Sequence, residues 1–216
     1  MTADTPPVFE ADFAAQFDTL LRWRRDVRHF LPTPIADADL RALLETAALA
    51  PSVGNAQPWR FVRVRSAGLR KDLADHVDAL NAHAAAEQPD NDRQAKYRTL
   101  KLHGLREAPE IIAVFSDEAP IAGHTLGRTT MHETLRYSTV MAIHTLWLAA
   151  RLRGIGLGWV SILDPAAVAT MLDVPRDWTL IAVLCLGYPE HPSTIPELER
   201  RDWQHREPVA DRIIER

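Results

Sequence analysis

Apolar residues recur along this chain with two periods, and the switches between them mark its elements. Phe13, Phe17, Leu20, Leu21 and Trp23 repeat at roughly helical spacing and lead into Arg24-Arg25-Asp26-Val27-Arg28, with the turn around Pro32 and Pro34 beyond. Leu40, Leu43, Leu44 and Ala47 form one face of a second helix over 39–49, which Asp37 or Asp39 is expected to cap and Pro51 to stop. A polar loop with an aromatic end follows (51–59), then a strand through Phe61, Val62 and Val64. The stretch 67–107 is expected to be mostly helical, interrupted by the charged break at Gln88–Asp92, and 94–102 within it is amphipathic and basic. Ile111–Phe115 is a short strand, and Gly123–Arg128 a loop. Residues 134–153 form a long helix ending at Gly154. It is apolar nearly all round, which suits a core or a subunit interface. A glycine turn then enters a strand through Trp159, a short helix covers 165–172, and the strongest strand is Leu180–Leu186. The order helix, helix, strand, helices, strand, helix, strand, helix, strand predicts an α+β domain around one central sheet. It is read as a single domain over 1–216, with a loose lead-in at 1–8, a possible lid at 87–102 and a C-terminal extension at 190–216.

Composition narrows the function classes. With 216 residues, 46% hydrophobic, 25% charged and a net charge of −4, this is an ordinary globular composition, and a broad nucleic-acid footprint is not expected. The N-terminus has acids and prolines where a secretory leader would be basic then apolar, and the apolar run at 140–152 is too short to span a bilayer. One cysteine, Cys185, lies in an apolar strand where it packs, so no intrachain disulfide forms. A cytoplasmic protein with no membrane partner is expected.

Local motifs exclude several chemistries. Gly154-x-Gly156-x-Gly158 follows a helix and enters a strand, the reverse of a dinucleotide phosphate loop. The nine histidines have no metal-ligand spacing, so no metal is expected. There is no GxSxG nucleophile elbow. What remains is distributed: the arginines at 24–28, the Ser/Asn/Gln loop at 52–57, Ser161, and Arg206 in the tail. Arginine forks suit a phosphate because they donate paired hydrogen bonds and stay charged. Taken singly, each also has a purely structural explanation, as a solvated charge or a satisfied loop hydroxyl.

Together these segments resemble the nitroreductase superfamily of flavoproteins. Arg24-Arg25-Asp26-Val27-Arg28-His29-Phe30 is similar to its RRSxRxF-like opening, and Ala50-Pro51-Ser52-Val53-Gly54-Asn55-Ala56-Gln57-Pro58-Trp59 to its APSxxNxQPW block. The glycine turn to Trp159 and the Gly187-Tyr188-Pro189 close also fit. The resemblance implies a nitroreductase-like fold, with a central mixed β-sheet flanked by helices, in an intertwined homodimer that holds FMN at the subunit interface. A narrower resemblance is to the flavin-destructase branch, carried by Asp26 in place of the usual serine, by 94–102, by Leu126-Gly127-Arg128 and by Gly158-Trp159-Val160-Ser161-Ile162. That branch implies oxygen-dependent fragmentation of reduced FMN to 5,6-dimethylbenzimidazole and erythrose 4-phosphate, for the lower ligand of vitamin B12, with a separate flavin reductase supplying the reduced FMN.

Carried onto this chain, the resemblance makes Asp26 and Ser161 catalytic. It places FMN on Arg24, Arg25, Asp26, Val27, Arg28, Ser52, Asn55, Leu102, Ser161 and Arg206. Asp26 would exchange protons and its flanking arginines would keep it ionised, Ser161 would hydrogen-bond the flavin or bound oxygen, and 94–102 would lie over the flavin. The alternatives on the same fold are an NAD(P)H-dependent nitroreductase or flavin reductase, and a flavin-binding protein without catalysis.

Overall fold

The structure is a computed structural model that describes residues 6–216; of the lead-in at 1–8, residues 1–5 lie outside the described residues. Seven α-helices and four strands alternate as the hydrophobic pattern predicts: α1 (Ala11–Trp23), α2 (Asp37–Ala47), β1 (Trp59–Arg63), α3 (Ala67–Ala86), α4 (Asn91–Arg98), β2 (Glu110–Asp117), α5 (Thr134–Leu152), β3 (Gly156–Val160), α6 (Pro165–Met171), β4 (Trp178–Gly187) and α7 (Glu197–Arg200).

The strands form one sheet in the order β1-β2-β4-β3, with every neighbouring pair antiparallel. The expected mixed sheet is therefore corrected to an antiparallel one; the parallel pairing at the β3 edge is an isolated bridge, Asp26 to Leu157, outside the strands. The two inner strands are buried on both faces, which explains their continuous apolar runs. The period of two sorts their side chains: Ile111, Ala113, Phe115, Val183 and Cys185 join Leu73 and Val77 of α3 and Val168 of α6. Ile112, Val114, Ala182, Leu184 and Leu186 meet Leu40 and Leu43 of α2 and Ile143 and Leu146 of α5 on the other face. A register shift between Val114 and Phe115 keeps both sets in phase with β4. Cys185 is wholly buried, and burial pushes its thiol up to about 12.

Three local expectations are corrected. Neither Asp37 nor Asp39 caps α2; its N-cap is Ala36, and the Asp37 carboxylate instead meets Arg63 at 2.7 Å. The helical stretch does not continue to 107, because α4 stops at Arg98 and Leu100 turns into the core. Gly104 then passes so close to Phe30 that an added Cβ would lie 2.5 Å from the ring.

Two helices keep apolar faces outside this core. Among its described residues α1 buries none, and Phe13, Phe17 and Trp23 stay exposed. On α5, Tyr137, Val140 and Met141 are exposed opposite the face packed on the sheet. Among the described residues no helix is long and apolar enough to cross a membrane.

Candidate functional site

Beyond α1 the chain runs along the free edge of β3, and the glycines there are what let it. Val27 N–H donates to the Leu157 carbonyl at 3.0 Å, and Leu31 N–H to that of Tyr188 at 2.9 Å. A Cβ at Gly156 would lie 2.7 Å from the Val27 Cγ2, and one at Gly158 would overlap the Val27 carbonyl oxygen. Gly154-x-Gly156-x-Gly158 is thus a track for close backbone approach.

Residues 24–29 floor a cavity of about 210 Å³ walled by Trp23, Trp147, Leu157, Glu197 and Arg201. Asp26 is fixed from two sides. Its Oδ1 accepts the Trp159 N–H at 2.8 Å, and its Oδ2 accepts Arg28 Nε at 2.8 Å. Arg28 in turn donates from Nη1 to the Lys101 carbonyl at 3.0 Å, which places the 99–104 turn behind the carboxylate. Burial raises the Asp26 carboxyl above its ordinary range, against the lowering effects of Arg28, the Trp159 N–H and Arg24. The flanking arginines do favour the ionised form as expected, but burial opposes and outweighs them, so the net direction is upward.

The arginines divide their work. Arg25 spends its guanidinium on backbone, donating from Nε to the Thr194 carbonyl at 2.7 Å and from Nη1 to the Arg24 carbonyl at 2.6 Å. Arg24 stacks its guanidinium over Trp147, 4.8 Å from the ring centroid, while the indole N–H donates to the Arg25 carbonyl at 3.2 Å. Burial lowers Arg24, Asp26 opposes that, and Arg206 lowers it further. Arg25 is lowered by burial and then by Arg206 and Arg24, against Glu199. Arg206, exposed in the tail, acts on both Arg24 and Arg25 through its charge, so three guanidiniums bear on this end of the site against Asp26 and Glu199. A phosphate monoester, with about two negative charges and three acceptor oxygens, fits that donor set.

The remaining expected residues fall elsewhere. Ser161 follows β3 directly, two residues beyond the Trp159 N–H that holds Asp26, so strand rise puts it roughly 7 Å further along. Ser52 and Asn55 belong to a rigid loop. Ser52 Oγ accepts Gln57 N–H at 3.0 Å, Val53 N–H donates to Ser138 Oγ at 3.0 Å, and Gly54, Asn55 and Gln57 all adopt positive φ. This loop enters β1 at Trp59, which is level with Thr179 of β4 through Ser116, whereas Asp26 bridges Leu157, level with Leu186. The two stand at diagonal corners of the sheet, roughly 25 Å apart from strand rise and spacing. Leu102 follows the carbonyl that holds Arg28, beside Asp78 and Asn81 and outside the Asp26 cavity. Segment 87–102 packs against the C-terminal tail: Arg93 lies 3.9 Å over Trp203 and Tyr97 meets the same ring edge-on at 5.8 Å.

Trp147 enters the sequence reading only on the long apolar helix and in the Leu146–Arg151 block of the narrower resemblance, without a site role, and the Thr194 carbonyl and Glu197 do not enter it. Trp147 is hidden in the apolar pattern of α5, and a backbone carbonyl has no sequence signal.

The pattern that describes the nitroreductase family matches residues 21–188, most of the chain. The chain belongs to the nitroreductase family. It is similar to the 5,6-dimethylbenzimidazole synthase of Rhodospirillum rubrum, 56% identical over 204 residues, covering 94% of this chain and 96% of that protein. It is 48% identical over 201 residues to a 5,6-dimethylbenzimidazole synthase of Rhodobacter capsulatus, covering 93% and 97%. Among solved family folds, an oxidised iodotyrosine deiodinase bound to FMN and 3-iodo-L-tyrosine superposes with a TM-score of 0.69 at 25% identity, covering 82% of this chain and 91% of that one. A BluB-like flavoprotein from Clostridium difficile 630 shares the fold with a TM-score of 0.68 at 21% identity, covering 92% and 97%.

Proposed function

We propose that this chain is an oxygen-dependent synthase that fragments reduced FMN to 5,6-dimethylbenzimidazole and erythrose 4-phosphate. The observation that carries the reading is Asp26, a carboxylate clamped between the Trp159 N–H and Arg28 at the cavity floor, where the family's opening motif has a hydroxyl. Near-full-length similarity to the synthases of Rhodospirillum rubrum and Rhodobacter capsulatus supports it.

Arg24 and Arg206 hold the FMN phosphate, with Arg25 fixing the tail on which Arg206 is carried. Reduced FMN, as substrate, would supply the electrons for dioxygen, the carbons and both nitrogens of dimethylbenzimidazole and the four carbons of the sugar phosphate, with the pyrimidine part of its ring leaving as a separate fragment. Asp26 moves a proton at its carboxylate oxygens; its raised pKa lets it hold that proton closer to neutral pH than an ordinary aspartate would. Ser161 offers a hydroxyl within reach of the same small molecule. The Trp147 and Leu157 walls exclude water.

The site is completed by a second copy of the chain. At about 210 Å³ the cavity is smaller than the ~300–1,000 Å³ of sites that enclose drug-sized ligands. Ser52 and Asn55 stand at the far corner of the sheet, and the bare faces of α1 and α5 give the homodimer its apolar contact. Reduced FMN comes from a separate flavin reductase, in a cytoplasmic setting.

The test is a single turnover. Protein mixed anaerobically with reduced FMN and then exposed to oxygen is expected to yield dimethylbenzimidazole as flavin disappears, followed by mass spectrometry. Clean return of oxidised FMN would overturn the reading, and NAD(P)H oxidation would then identify a reductase.

A further inference from the structure

Helix α4 has little reason to be stable alone. It is eight residues long, buries none of them, and is strongly polar. Its N-cap Asp90 accepts the Arg93 N–H at 2.7 Å, and Gln94 ties it back to the Gln88 carbonyl at 3.2 Å. Gln94 also reaches the Ala86 carbonyl of α3 at 3.3 Å, and three further side chains of α4 turn to the tail. Arg93 lies 3.9 Å over the Trp203 ring, Tyr97 meets it edge-on, and Lys96 donates to the Asp202 carbonyl. Trp203 is itself set by its N–H, which donates to the Leu198 carbonyl at 2.8 Å, after Asp202 turns the chain with φ 51°. On its N-terminal side lie Arg200 and Arg201 of the cavity wall, and three residues onward is Arg206.

We propose that Trp203 is a positioning residue, a clasp between α4 and the tail that sets Arg206 beside Arg24 and Arg25. The proposal rests on the phosphate placement given above. Arg206 is exposed, so the direction of its side chain depends on where the tail is held. The tail is held upstream by Arg25 on the Thr194 carbonyl and downstream by α4 on Trp203. One indole then ties α4 to the tail that carries the charge gripping the ligand. Arg93, which does not line the Asp26 cavity, acts on ligand affinity through that ring.

Two readouts on Trp203→Ala and Trp203→Phe test this, neither requiring turnover. In the ligand-free protein, hydrogen exchange over 91–98 is expected to accelerate at least about tenfold in Trp203→Ala, with β2 and β4 unaffected and Trp203→Phe restoring most protection. Fluorescence titration is expected to show FMN bound about tenfold more weakly by Trp203→Ala while riboflavin, which lacks the phosphate, changes little. Arg206→Ala is expected to lose the same preference for FMN with α4 protection unchanged. Unchanged exchange over α4, or equal loss for FMN and riboflavin, would overturn the clasp. A wild-type protein that binds riboflavin as well as FMN would instead remove the phosphate placement, and the clasp's role with it.

Discussion

Residues 24–30 and the loop 50–59 are the two segments that most resemble family motifs, and the fold treats them oppositely. The first is laid along the β3 edge, its Asp26, Arg24 and Arg25 converging on one cavity. The second is as well fixed, with Ser52 and Ser138 satisfying its backbone and the 123–127 turn packed so tightly that an added Cβ at Gly54 would lie 2.9 Å from the Leu126 carbonyl. Yet none of its polar side chains lines the Asp26 cavity. Rigidity in a polar loop stabilises little by itself; combined with the diagonal placement, it is what the proposed second copy of the chain would use.

The comparison breaks most sharply at Asp26. Asp26→Asn keeps the shape and the Trp159 contact but loses the exchangeable proton, so product formation should fall at least about 100-fold with FMN affinity within a few-fold. Single-turnover mass spectrometry and fluorescence titration measure the two, and a rate close to wild type would remove the proton-transfer role. Next in size is Gly158→Ala. Its Cβ overlaps the Val27 carbonyl oxygen, so the 24–28 track must lift from β3, costing about 1–3 kcal/mol in urea unfolding together with FMN binding. Gly154→Ala, which meets no atom within 4 Å but has φ +72°, should cost only about 1 kcal/mol.

Whether the two segments serve one site from two chains is sharpened by mixing. Asp26→Asn and Asn55→Ala, each inactive alone, should after subunit exchange regain about a quarter of wild-type product, because half the dimers are mixed and each has one intact site. Sedimentation at the same concentrations checks that dimers form; no recovery in mixed dimers would put both segments in one chain's site. The smallest effect is on stability. The folded Asp26 carboxyl lies above its unfolded value of 3.8, so its contribution is fully present below that value and is lost as pH rises through the folded pKa. Wild type compared with Asp26→Asn in urea titrations should decline across that window and stay level above it. A difference that grows with pH would reverse the sign of the shift.

Much of this was legible in the chain because it depends on local pattern. The order of helices and strands follows from period switches, and Pro51, Gly154 and Gly187 punctuate it as expected. The arginine stretch suited an anion by residue type, but only the segments that accompany it set that reading above a solvated charged face. What escaped depends on partners far away in sequence. Nothing near Trp147 signals that it will lie under Arg24, and nothing near Thr194 signals that its carbonyl will hold Arg25. The amphipathic run at 94–102 breaks at Arg98 because the core takes Leu100 and Arg28 takes the Lys101 carbonyl. Asp37 fails as a cap because Arg63 claims its carboxylate. In each case a long-range contact outweighs a local preference worth about 1 kcal/mol or less.

The position of Cys185 bears on how long such a protein lasts at its work. An oxygen-consuming site exposes the polypeptide around it to oxidants, and thiols are attacked as thiolates. With its pKa pushed up to about 12, Cys185 is ionised in only about one molecule in 100,000 at neutral pH. It also lies in the middle of β4 under α3, out of reach of diffusing reagents. Under the proposed oxygen-dependent reaction the chain can therefore carry a buried sulfur without ageing through it, and damage from repeated turnover should fall first on the exposed Met131.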